Sequence, residues 1–76
     1  MQINNANFTN LELSKQEQVV VAGIVKGLKN TEIAAFMNIS INTVKTYQAR
    51  VYRKCCVRNR VELTLWYYEN IRQINL

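Results

Sequence analysis

Between Lys45 and Arg60 the chain carries six basic residues, Lys45, Arg50, Arg53, Lys54, Arg58 and Arg60, and no acid. Before residue 39 the charges cancel, Lys15, Lys26 and Lys29 against Glu12, Glu17 and Glu32, so the net charge of +5 belongs to the second half. A run of this kind suits a polyphosphate. Each Lys or Arg that neutralises a phosphate releases condensed counterions, and that release drives association. The competing reading is a solvated basic helix face, and charge by itself does not separate the two. Other chemistries lack their residues. Histidine is absent, which removes the usual general base and the commonest metal ligand. Carboxylates are few and scattered, and the two glycines, Gly23 and Gly27, make no phosphate-cradling loop. The chain is therefore not expected to be an enzyme, nor to hold a metal or cofactor. Cys55 and Cys56 are neighbours and form no disulfide framework. Cys55 is read as a small buried hydrophobe, with no redox role assigned to the pair.

The elements that position the basic run follow from pattern. Seventy-six residues, 49% hydrophobic and without proline, make one small helical domain rather than a disordered chain. No apolar run is long enough to span a bilayer. Met1 to Asn10 is polar and Asn-rich, without the layout of a signal peptide, so a cytoplasmic location is expected. Residues 1–10 are read as a weakly structured lead-in from which Phe8 and Leu11 fold back, and residues 11–76 as the domain. Ser14 followed by Glu17 is a capping box that starts a helix at about Lys15. Val20, Val21, Ile24, Val25 and Leu28 keep helical spacing, which outweighs the β-branched run Val19-Val20-Val21, and Gly27 is the stop. Asn30 is the predicted N-cap of a short helix from Thr31 to Met37, with Ile33, Ala34 and Met37 inward. After a turn at Asn38-Ile39-Ser40, Ser40 caps a third helix to about Cys55. Val44, either Tyr47 or Gln48, Val51 and Cys55 point inward; Asn42, Lys45, Thr46, Ala49, Arg50 and Arg53 lie on the other side. Asn59 with Glu62 opens a fourth helix to about Ile71.

A short helix, a tight turn and a longer basic helix form a helix-turn-helix, so the predicted fold class is all-α. The second helix of such a pair fits the major groove and presents its N-terminal side chains to base edges. The helix starts at Asn30 and Ser40 offer backbone amides and positive dipole ends to phosphates. The fourth helix has apolar residues around too much of its circumference for one small core. Val61, Leu65 and Tyr68 form one stripe, expected to pair with a second copy, while Leu63, Trp66, Tyr67 and Ile71 fall on others.

Several spaced motifs occur in order: Leu13-Ser14 with Glu17; Gly27-Leu28, Asn30 and Glu32-Ile33-Ala34; Ile39-Ser40 and Thr43-Val44-Lys45-Thr46; then Arg53-Lys54 and Val57-Arg58-Asn59-Arg60-Val61-Glu62. Over roughly residues 11–72 the chain resembles the LuxR-type helix-turn-helix domain, also called FixJ/NarL or GerE-like, of bacterial regulators. The resemblance implies a four-helix domain that binds double-stranded DNA as a homodimer and regulates transcription. It also implies base contacts from Lys45 and Thr46 and from the position held by Ala49. Phosphate contacts are assigned to Asn30, Thr31, Ser40, Asn42, Thr43, Tyr47, Arg50, Arg53, Lys54 and Arg58, and the dimer interface to Val61, Leu65 and Tyr68.

The chain departs from the family's pattern in places. Tyr47 stands where relatives usually have His, Thr31 where they have Lys, and Cys55-Cys56 where they have Leu-Gly. Gln16 and Gln18 replace residues that are often Arg, and Phe36 takes a position usually polar. A Gly at position 56 would suit a helix stop with positive φ, so Cys56 must adopt a costly geometry or alter the exit.

The expected function is sequence-specific transcriptional regulation on two-fold related sites. The alternative is a protein-interaction module that pairs with or inhibits a larger regulator of the same type. A larger regulator and RNA polymerase are the further partners considered; no membrane is. Relatives often carry an upstream receiver or sensor domain. A chain of this length starting at Met1 has no room for one, so control by abundance or by a partner is expected, unless the chain is a piece of a larger regulator.

Overall fold

The computed structural model describes residues 13–75, with side chains through residue 70. The expected lead-in at 1–10, with Phe8 and Leu11, lies outside the described residues. Four helices follow in order, α1 (Lys15–Val25), α2 (Asn30–Met37), α3 (Ile41–Cys55) and α4 (Arg60–Asn75), and no strand occurs among the described residues. The all-α reading stands. None of these helices is long and apolar enough to cross a membrane.

The first helix starts as its sequence dictates. Ser14 Oγ accepts from the Glu17 amide and Glu17 Oε1 accepts from the Ser14 amide, each at 3.0 Å, satisfying two donors that a helix start leaves open. Val20, Val21 and Ile24 are buried on one stripe, so the β-branched run is helical because its burial pays best at that spacing. α2 begins one residue earlier than the sequence predicts. Lys29 is its N-cap, and Glu32 Oε1 accepts from the Lys29 amide at 2.7 Å. Asn30 is thus not the cap but the first helical residue. α4 runs past Ile71 to Asn75. At its start Asn59 Oδ1 accepts from the Glu62 amide at 2.9 Å, whereas Glu62 reaches back to the Arg58 amide at 2.8 Å, one residue earlier than a standard capping box.

The first three helices end in the same way. Gly27 (φ 85°), Asn38 (φ 59°) and Cys56 (φ 59°) adopt the left-handed conformation. The next amide closes back on the helix each time: Leu28 to the Gly23 carbonyl, Ile39 to that of Ala34 and Val57 to that of Tyr52. Leu28, Ile39 and Val57 then pack against the core. Each stop is a left-handed residue followed by an apolar one that tucks under the helix just completed.

Only at Cys56 does the residue type resist this. Glycine carries no Cβ penalty in the left-handed region and asparagine tolerates it, but cysteine does neither. Cys56→Gly is expected to raise stability by about 1 kcal/mol. The check is the urea midpoint at unchanged slope, and a midpoint that falls would show that the Cys56 exit carries no strain.

The core is one cluster that includes Leu13, Val20, Val21, Ile24, Ile33, Val44, Val51 and Leu63. α1 packs against α3 and α4, and α2 packs against α3. Gly23 allows α2 to approach α1 closely, because a Cβ there would stand 2.8 Å from Ile33 Cγ1. Cys55 is buried, and burial pushes its thiol up to about 11, so it stays protonated at neutral pH and sits as the small hydrophobe expected.

Candidate nucleic-acid interface

The third helix sorts its residues by period. Val44, Gln48, Val51 and Cys55 are buried, while Asn42, Lys45, Thr46, Ala49, Arg50 and Arg53 are exposed on the other side. Of the two inward candidates at the third turn, Gln48 is the buried one, 9% exposed. Tyr47 is half-buried against the core, and Arg50 lies over its ring, 5.8 Å from the centroid. At the helix start Ser40 Oγ accepts from the Thr43 amide at 3.0 Å and lies 2.9 Å from the Thr43 hydroxyl. The Ser40 and Thr43 side chains therefore serve each other, and the Ile41 and Asn42 amides remain at the positive end of the helix. Thr46 Oγ1 donates to the Asn42 carbonyl at 3.1 Å, which occupies its hydroxyl on an exposed residue. Thr31 is exposed at the first turn of α2.

The six cations of the basic run divide in a way that charge counting could not reveal. Lys54 Nζ donates to Glu17 Oε1 at 2.9 Å across α1 and α3, and Glu17 is only 2% exposed. Burial pushes the Glu17 carboxyl up. The Lys54 hydrogen bond, the Ser14 amide and the charges of Lys54 and Arg50 outweigh it and hold the group below its ordinary 4.5. Arg58 pairs with Glu62 at 3.0 Å on the exposed start of α4, which holds the Glu62 carboxyl down as well. Arg60 donates to the Leu28 carbonyl at 2.9 Å and to Asn30 Oδ1 at 3.2 Å. Lys45, Arg50 and Arg53 remain on the exposed face of α3 with no ion pair among the described residues. The surface offered to an anion is narrower than the sequence suggests.

Asn30, expected to face a phosphate, has its side chain turned inward. Its Oδ1 accepts from Gln48 of α3 as well as from Arg60 of α4. One side-chain oxygen thus ties the start of α2 to the middle of α3 and the start of α4. Sequence reasoning missed this junction. Its signal was Gln48 itself, a polar residue on the otherwise apolar 44-48-51-55 stripe, which requires a buried partner. Asn30→Ala removes the acceptor from two donors and is expected to cost about 1–2 kcal/mol. The check is the thermal midpoint of Asn30→Ala against that of the exposed control Thr31→Ala, and an equal shift in the two would refute the junction.

On α4, Leu63 is fully buried while Trp66 and Tyr67 pack against the core. Val61, Leu65 and Tyr68 are exposed, Leu65 at 60%, so the stripe predicted from the sequence is uncovered in the single chain. The domain therefore presents two separate faces. One is a basic helix whose N-terminal side chains stand clear of the core; the other is an apolar stripe.

A helix pair of this form carrying such a face reads the DNA major groove. Residues 11–67 match the family model for bacterial regulatory proteins of the luxR family. The chain is similar to a probable transcriptional regulator, ycf29, of Cyanophora paradoxa, 40% identical over 65 residues that cover 86% of this chain and 31% of that one. It is 38% identical over 64 residues to the two-component response regulator PprB of Pseudomonas aeruginosa, covering 84% of this chain and 23% of that protein. It is 34% identical over 61 residues to the CsgBAC operon transcriptional regulatory protein of Escherichia coli, covering 80% and 28%. The chain thus spans about a third or less of the length of these relatives. No solved structure matches it significantly. With four helices, a helix-turn-helix formed by α2 and α3, and a family match over most of its length, the chain belongs to the luxR family of bacterial regulatory proteins, DNA-binding regulators of transcription.

Proposed function

We propose that this chain binds two-fold related DNA sites as a homodimer and regulates transcription there, in the bacterial cytoplasm. The exposed, acid-free face of α3 supports this most directly. Lys45 and Thr46 stand near the start of α3, where a recognition helix meets base edges. Lys45 donates to guanine O6 and N7, and the Thr46 methyl meets a thymine methyl. Ala49, one turn further on, adds at most an apolar contact. Arg50 and Arg53, the Asn42 amide and the Tyr47 hydroxyl engage phosphates, which set the register without reading sequence. Asn30, Lys54 and Arg58 have side chains occupied within the fold, so their part in docking is through position and field. The Thr31 hydroxyl and the backbone at Ser40 complete the phosphate set.

The Val61, Leu65 and Tyr68 stripe supplies the second copy's contact, and symmetry then requires half-sites related by a two-fold axis. The test is selection of bound duplexes from a random-sequence pool at two salt concentrations. A symmetric enriched motif is expected. Salt-sensitive binding without enrichment would replace this reading with that of a module acting on a larger regulator. Leu65→Glu is expected to give monomers by sedimentation and to cut operator affinity more than tenfold, because a half-site holds one domain alone. Survival of the dimer would rule out the stripe as interface.

A further inference from the structure

A second apolar surface lies on the side of the domain built by α1 and α2. Lys15, Val19 and Ala22 of α1 and Lys26 at its C-cap follow one another at helical spacing and form a single stripe. Phe36 of α2 stands beside it, 77% exposed. Val19 and Phe36 line two hollows in succession along α1. One, of about 300 Å³, is lined also by Gly23, Leu28 and Ile33 and reaches Lys26. The other, of about 250 Å³, lies among Lys15, Gln16 and Met37. Gly23 lines the first hollow where α2 approaches α1 closely. Together they make a trough with a basic residue at each end, about 16 Å apart at the rise of an α-helix. Lys15 and Lys26 make no ion pair among the described residues. Among the described residues, Glu17 is engaged with Lys54 and the Ser14 amide, and Glu32 with the Lys29 amide.

We propose that this trough docks an amphipathic helix of a partner protein, with apolar side chains filling the two hollows on either side of Phe36 and acidic residues pairing with Lys15 and Lys26. The charge pattern selects this occupant. The centre calls for apolar side chains, which a nucleic acid does not offer, and the two ends call for carboxylates spaced as three turns of helix space them. Among the described residues, none that lines the trough belongs to α3 or α4. A partner held here leaves both the basic face of α3 and the stripe of α4 open, so the domain joins DNA to a second protein. This goes beyond DNA binding and does not depend on dimerisation.

The experiment uses the 76-residue chain and a fluorescent synthetic helical peptide. The peptide carries leucines at i, i+3 and i+7 and glutamates flanking them on the same face. Its control has the same composition with the leucines scattered around the circumference. Saturable binding of the first peptide alone is expected, weakened at least about tenfold by Phe36→Glu and equally by Lys15→Glu with Lys26→Glu. Lys45→Ala and saturating duplex DNA are expected to leave it unchanged. Phe36 and both lysines are surface residues, so circular dichroism should report intact helices in these variants. Four results would overturn the proposal: no binding, equal binding of the scattered peptide, displacement by DNA, or insensitivity to the lysine reversals. Two other occupants have their own readouts. Loss of self-association in Phe36→Glu would assign the trough to a second copy, and Phe36-dependent binding to phosphatidylglycerol vesicles without peptide binding would assign it to a membrane surface.

Discussion

Lys54→Met is expected to cost the domain about 2–3 kcal/mol, a fall of roughly 15 °C in thermal midpoint for so small a chain. The reason is the partner left behind. Glu17 is 3% exposed at its side chain, while Lys54 is 32% exposed, so the cation can be solvated and the carboxylate cannot. Removing the lysine leaves a buried charge that, among the described residues, has the Ser14 amide and the field of Arg50 to offset its desolvation. The figure stands at the low end for a broken buried pair because the wet lysine end weakens the pair from the outset. Adding Glu17→Gln to Lys54→Met should restore most of the loss, since glutamine keeps the capping hydrogen bond and carries no charge.

The pH dependence has a definite sign. Glu17 titrates below 4.5 in the folded chain, so its stabilisation is present above 4.5 and is lost as pH falls through the lowered value. Stabilities of the native and Lys54→Met chains should therefore converge in acid. Glu62 is also held down, but it is present in both proteins and drops out of the difference. Urea denaturation at neutral pH and near pH 3 measures all of this. A neutral-pH loss under about 0.5 kcal/mol would place Lys54 among ordinary surface lysines and return it to the phosphate contacts.

Lys45→Ala and Arg53→Ala should separate reading from docking. Lys45→Ala is expected to weaken binding to the selected operator by about 2 kcal/mol, some thirtyfold, and binding to random duplex much less. Arg53→Ala should weaken both to the same degree and reduce the slope of log affinity against log salt by about one. Titrations at several salt concentrations on both duplexes give the four numbers required. Equal losses for both variants on both duplexes would abolish the division of labour along α3. Lys54→Met supplies a control on the same helix: at a temperature where it stays folded, its salt slope should match that of the native chain, because its charge is already paired with Glu17.

How far the sequence could be read depended on whether the determinant was local. The Ser14–Glu17 and Ser40 caps, the glycine stop at Gly27 and the buried period of α3 each involve residues within one or two turns, and all are as the pattern implies. The start of α2 lies one residue before the expected one because its two candidate caps are adjacent, and α4 continues past Ile71 to Asn75. Lys29 and Asn30 both can precede the first turn, and Asn30 is drawn inward by Gln48 and Arg60, which lie 18 and 30 positions away. Side-chain charge is visible in sequence, but its partner is not. Lys54, Arg58 and Arg60 appear identical to Lys45, Arg50 and Arg53 until the chain is folded.

By itself, then, the sequence determined the number and order of the helices, the side of α3 that faces outward and the apolar stripe of α4, because each is written in spacing of 3.6 residues and in short-range caps; the family followed from the order of its motifs along residues 11–67. Tertiary structure decided which cations are free, which polar residue ties α2 to α3 and α4, and that α1 and α2 enclose an apolar trough ending in Lys15 and Lys26. Those properties arise where residues far apart in the chain meet, and there desolvation and pairing, rather than residue type, decide the charge a surface presents.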